Sequence, residues 1–177
     1  MRKLLPLLLL LTPACTSYAT FRDVAITAAP TLPEEGSLYV AMGGDGRFED
    51  LVYQGSARVT ALAVADAFSP FLQQTIAGST YEAYQQGLET ASSLGFTYYV
   101  APNILHWEDH ATVSSGQRDR LEVKLVLIHV PRRQVIDTIT VQAKSRLVTL
   151  GGDRPQDLLR KPLQSWAASL FVTGRPD

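Results

Sequence analysis

The chain carries a single cysteine, Cys15, which excludes both an intramolecular disulfide framework and any multi-cysteine metal centre. With 46% hydrophobic and 19% charged residues among 177, the composition suits one globular domain and rules out collagen-like, coiled-coil and wholly disordered chains.

The position of Cys15 is as informative as its solitude. Met1-Arg2-Lys3 is a short basic start, Leu4 to Leu11 holds seven leucines, and Thr12-Pro13-Ala14 leads into the cysteine. This is the form of a bacterial export signal peptide spanning residues 1–14. The apolar run is far shorter than the roughly 20 residues a spanning helix needs, so a permanent transmembrane anchor is not expected. Ala14-Cys15 resembles the lipobox of bacterial lipoproteins, in which the thiol is acylated and the cysteine becomes the new N-terminus. That resemblance implies several fatty chains, palmitate among them, well beyond the single chain that gives only reversible binding. Thr16-Ser17, with no aspartate after the cysteine, implies sorting to the outer membrane with the body in the periplasm. The other reading is cleavage at Ala14 or Ala19, leaving a soluble periplasmic protein.

Residues 16–36 are polar, contain Pro30, Pro33 and Gly36, and show no sustained period, so residues 15–36 read as a lipid-anchored tether. Residues 37–174 read as one domain. Ser37–Met42 has strand character and ends at Gly43-Gly44-Asp45-Gly46, which reads as a flexible connecting loop. Ser56 is placed to cap a helix running to Phe68 or Leu72. Gln74–Ala77 suits a short strand, and Ser79-Thr80-Tyr81-Glu82 has the form of a capping box for a helix ending at Gly95. Phe96–Leu105 predicts a strand. Leu121–Val130 and Val135–Val141 predict a hairpin about Pro131-Arg132-Arg133-Gln134, with Ser145–Leu150 available to extend the sheet. Asp153 is placed to cap a last helix with Leu159, Leu163, Trp166 and Leu170 on one stripe, kinked or restarted by Pro162. The expected fold is α/β: parallel βα units, then an antiparallel hairpin, in a mixed sheet covered by about three helices.

Charge is unevenly divided. Residues 15–117 hold three bases against eleven acids, and residues 118–177 hold eleven bases against six acids. Opposite halves pair within one fold or meet between subunits in a head-to-tail ring, and the intramolecular pairing is the simpler reading.

Few residues point to chemistry. The Gly43–Arg47 turn lacks both phosphate-binding spacings, and its neighbours Asp45, Glu49 and Asp50 would repel an anion. His106, Glu108 and His110 could share one face of a strand as a His₂Glu metal set. The simpler reading packs Trp107 and pairs Glu108 and Asp109 with Arg118 and Arg120 across the hairpin. There is no G-x-S-x-G elbow, and an acylated Cys15 cannot act as a thiolate. The basic half has few interleaved aromatics, so no nucleic-acid partner is expected, nor any cofactor.

Three phrases carry a family resemblance. These are Tyr39-Val40-Ala41-Met42 with its Gly-Asp-Gly turn; Trp107-Glu108-Asp109 with Ser115-Gly116 and Arg118-Asp119; and Gly151 to Leu159, which includes Asp153. Together they resemble a family of bacterial lipoproteins known only as a domain of unknown function, which supplies no catalytic residues. The element order is similar to periplasmic domains of the TolB N-terminal, CsgG and PelC type, some of which work as rings in secretion or envelope assembly. The expectation is a non-enzymatic, lipid-anchored envelope protein that binds a protein or polymer partner. A small-molecule or metal-binding module is the alternative, and a hydrolase stands behind both.

Overall fold

Long runs of alternating or fully apolar residues, rich in valine, isoleucine and aromatics, assemble into one six-stranded sheet. The computed structural model describes residues 17–22, 31–109, 118–145 and 155–171. In chain order the strands are β1 (Ser17–Arg22), β2 (Ser37–Met42), β3 (Gly46–Phe48), β4 (Leu51–Tyr53), β5 (Gln74–Tyr81), β6 (Tyr98–Glu108), β7 (Arg120–His129) and β8 (Gln134–Lys144). The main sheet has the order β1-β8-β7-β6-β2-β5, and β3 pairs with β4 in a small sheet of its own. β2 lies parallel to both β5 and β6, while β6, β7, β8 and β1 are antiparallel in turn. The expected mixed α/β sheet is therefore what forms.

Helix α1 (Ser56–Phe68) connects β2 to β5, and α2 (Tyr84–Ser93) connects β5 to β6 on the other side of β2. The two helices accordingly cover opposite faces. On one face Ala61, Val64 and Phe68 of α1 pack with Leu163, Trp166 and Leu170 of α3 (Arg160–Leu170) over Val123, Leu125 and Leu127. On the other, Leu88 and Ala91 of α2 pack over Tyr39, Tyr99 and Ile128. The predicted stripe Leu159, Leu163, Trp166, Leu170 is buried throughout, at most 3% exposed. A 3₁₀ turn at Pro155–Leu158 precedes α3, so Pro162 sits in the helix's first turn, where its missing N–H costs no bond. Gly95 ends α2 at φ 75°, the left-handed position that favours glycine.

Several local expectations are corrected. Ser17–Arg22, read as tether, is an edge strand paired along its whole length with β8, whose backbone would otherwise present an open edge. Leu32, also in that stretch, is 8% exposed and belongs to the main core. The loop after Gly43 is not a flexible connection but leads directly into the β3–β4 hairpin. Glycine is required at Gly46 because an added Cβ would lie 2.6 Å from Trp107 Cβ, and at Gly43 because it would lie 2.7 Å from the Pro102 carbonyl oxygen. Gly55, not Ser56, occupies the α1 cap position, and Asp45 from the glycine turn accepts the Ala57 N–H at 2.9 Å. An anionic carboxylate at that helix terminus is stabilised by the orphan amides. Ser79 lies within β5, which runs four residues past its expected end, and α2 begins only at Tyr84 with Ala83 as its cap, so no capping box forms.

The fold also turns the charge split into a spatial one. Residues 31–100, at the β2–β5 end of the sheet with α1 and α2, hold eight acids and two bases. Residues 17–22, 118–145 and 155–171, at the β1–β8–β7 end with α3, hold nine bases and four acids.

Candidate functional site

The Trp107-Glu108-Asp109 phrase closes β6 at the end of the sheet where β7 begins and β8 ends. A register shift between Ile104 and His106 sets Trp107 opposite Leu121 and Glu108 opposite Arg120. Trp107 is 3% exposed and enters the main core, while Glu108, 7% exposed, takes Arg120 Nε at 3.8 Å. Across the hairpin the Asp119 N–H donates to Ser145 Oγ at 3.0 Å and the Ser145 N–H donates to the Asp119 carbonyl at 3.0 Å, fixing the entry to β7. Of the predicted unit the structure therefore shows the buried Trp107, the Glu108–Arg120 pair and the Asp119–Ser145 bonds at one corner of the sheet, with Asp109 and Arg118 at the adjoining strand ends. Asp153 and His110 lie outside the described residues.

His106 and Glu108 share a face, with Nε2 and Oε2 3.6 Å apart, and the His106 ring meets Phe48 edge-on at 5.1 Å. Among the described residues no cluster of three metal-ligating side chains forms. Glu108 is shared between His106 and Arg120.

Two buried carboxylates take roles that the sequence reading does not assign them. Glu82, 8% exposed, accepts the Tyr39 hydroxyl at 2.6 Å on one oxygen and the Thr90 hydroxyl at 2.7 Å on the other. Burial, then the bond to Glu82, raises the Tyr39 phenol well above its ordinary range. Tyr99 is raised by burial and by the Glu82 charge, and it donates its hydroxyl to the Tyr84 carbonyl at 3.0 Å. Both phenols stay protonated as donors, so the cluster works as a clasp holding α2 to the sheet. Gly87 permits that approach: a Cβ there would lie 2.5 Å from Tyr99 Oη and 3.0 Å from Ala41 Cβ. Gly87→Ala is therefore expected to lose about 1–3 kcal/mol from overpacking, against about 1 kcal/mol of helix propensity gained. Urea denaturation reads the balance, and net stabilisation would contradict this packing.

Asp137 is fully buried on β8. Its Oδ2 takes Arg22 Nη2 at 2.8 Å and Trp166 Nε1 at 3.0 Å, and its Oδ1 takes the Thr138 N–H at 2.9 Å. One carboxylate therefore ties edge strand β1 to helix α3. The only cue in the sequence is an acid amid the β-branched residues of β8.

A cavity of about 510 Å³ opens beside the β7–β8 turn, lined by Leu32, Thr97, Tyr98, His129, Arg132 and Gln134 among others. His129 Nδ1 accepts the Arg132 N–H at 3.3 Å, which leaves Nε2 as the ring's donor. Tyr98, 1% exposed, packs edge-on against His129 at 6.0 Å.

A mixed sheet with helices on both faces and a cavity at one end defines a small α/β domain with the fold of PelC. A PelC variant dodecamer from Paraburkholderia phytofirmans matches with a TM-score of 0.64 at 12% identity, over 90% of this chain and 100% of that one. A second PelC dodecamer structure from the same organism matches with a TM-score of 0.57 at 14% identity, over 89% and 94%. At the level of sequence, residues 31–170 match the family described as a domain of unknown function, DUF4823, and the chain belongs to that family. No curated protein matches the chain.

Proposed function

We propose that this chain is a lipid-anchored, non-enzymatic protein of the bacterial envelope, whose α/β domain docks on a protein or polymer partner in the periplasm as an accessory or assembly factor. The observation that carries the reading is the leader itself: a basic start, a leucine run and Ala14-Cys15, with a folded strand beginning two residues later at Ser17. Acylation of Cys15 holds the protein at the periplasmic face of the outer membrane without a spanning segment. Among the described residues no helix is long and apolar enough to cross a membrane.

Self-association is part of this reading. PelC of P. phytofirmans forms dodecamers, and here the acidic β2–β5 end and the basic β1–β8 end supply opposite poles for a head-to-tail contact. Cys15→Ala tests the anchor: the variant is expected in the soluble fraction after lysis, where the wild type sediments with membranes. Unchanged fractionation contradicts the proposal.

The cavity favours a second reading, a small-molecule module with its site at Tyr98, His129 and Arg132. Native mass spectrometry of protein taken from envelopes separates the two. A bound small-molecule mass supports this module, and the bare protein mass dismisses it.

A further inference from the structure

The register of the edge strand fixes which way the anchored domain faces. Ser17 stands opposite Lys144, Lys144 opposite Arg120, and Arg120 opposite Glu108, so these four residues form one row at one end of the sheet. Cys15 precedes Ser17 by two residues, and two fully extended residues reach at most about 7 Å. The opposite end, at His129 and Gln134, lies at the far end of the ten-residue strand β7, about 30 Å away at strand rise. An anchor on so short a lead, on a strand hydrogen-bonded along its whole length, leaves the domain little freedom to turn over.

Charge at this end agrees with that orientation. Arg118, Arg120 and Lys144 are exposed, while Glu108 and Asp119 are 7% and 9% exposed and drawn inward. Among the described residues at this end the exposed charges are these three cations, with the half-buried Asp109 and the inward Glu108 and Asp119 beside them.

We infer that the sheet end formed by Ser17, Lys144, Arg120 and Arg118 is the membrane-facing surface of the lipidated protein, resting on anionic phospholipid headgroups. The β7–β8 turn and the cavity beside it then stand in the aqueous periplasm. The inference rests on the acylation of Cys15 proposed above. It replaces a domain swinging on a long tether with one seated on the bilayer.

Acylation consumes the only native thiol, so a cysteine introduced elsewhere takes a label alone. Gln142 and Gln134 are both exposed on β8, eight residues apart, one near each end. The lipidated Gln142→Cys and Gln134→Cys proteins, each carrying a fluorophore, are reconstituted into phosphatidylethanolamine–phosphatidylglycerol vesicles containing headgroup nitroxide lipids. The Gln142 label is expected to be quenched at least threefold more than the Gln134 label. Adding Arg118→Glu and Lys144→Glu is expected to lower quenching at Gln142 by at least a third. Protein that floats with the vesicles but shows equal quenching at both sites overturns the orientation alone. Unchanged quenching in the charge-reversed protein overturns the headgroup contact. Protein that fails to float overturns the anchor and this inference together.

Discussion

Phe68→Ala is expected to lower the unfolding free energy by about 3–5 kcal/mol, the range for truncating a large buried aromatic. Phe68 is fully buried, and its ring meets Trp166 edge-on at 5.1 Å and Phe171 at 6.1 Å, so it is the contact through which α1 and α3 share one core. Truncation removes apolar contact and also leaves space that two helices and a sheet cannot all close. Leu62→Ala on the same helix provides the comparison. Leu62 is 45% exposed, and its loss is expected to cost well under half as much. Urea denaturation measures both, and a Phe68→Ala cost below about 1 kcal/mol would mean that the two helices do not meet there.

The second large effect lies at Arg22. Removing one partner of a buried ion pair costs about 3–5 kcal/mol because the other charge is left unpaired. Here Asp137 keeps two donors, Trp166 Nε1 and the Thr138 N–H, and the Arg22 side chain is 33% exposed. Those features place Arg22→Ala nearer about 2–3 kcal/mol. The double variant Arg22→Ala/Asp137→Asn, which neutralises the stranded carboxylate, is expected to recover part of the loss. Hydrogen exchange separates this from a general weakening, because the amides of β1 are expected to lose protection first. Wild-type stability in Arg22→Ala would show that the Arg22–Asp137 pair adds nothing to the fold.

How much of the fold is legible in the sequence follows from the range of the interactions involved. The α/β class and the β2–α1–β5 and β5–α2–β6 units are legible because periodicity is local. So are the β7–β8 hairpin, the α3 stripe and the Gly95 terminus. Legibility fails where a distant partner decides. Ser79 and Glu82 have capping-box spacing, but β5 pairs with β2 up to Ala77 and again at Tyr81, which holds the bulged stretch containing Ser79 inside the strand. Glu82 is then taken by Tyr39, 43 residues away. Ser56 looks like a cap because it precedes an apolar periodic run, yet the capping carboxylate comes from Asp45 across the β3–β4 hairpin. Residues 17–22 look like a tether because a six-residue edge strand, exposed on both faces, has no buried stripe to announce it.

The candidate site is legible in the same uneven way. Trp107, Glu108 and Arg120 meet as cross-strand neighbours, which hairpin spacing already implies. The buried clasp at Glu82 and the tie at Asp137 are not legible, since each joins elements far apart in the chain. In the glycine turn Gly46 and Gly43 are explained by close approach to Trp107 and Pro102, and Asp45 by its cap on α1.

The proposed envelope role stands or falls on lipid at Cys15. Metabolic labelling with palmitate, followed by intact-mass measurement of the purified protein, tests it most directly. Label is expected in the wild type and none in Cys15→Ala, with a mature wild-type mass that begins at Cys15 and includes its acyl chains. An unlabelled wild type whose mass begins after Ala14 or Ala19 without added lipid would contradict it.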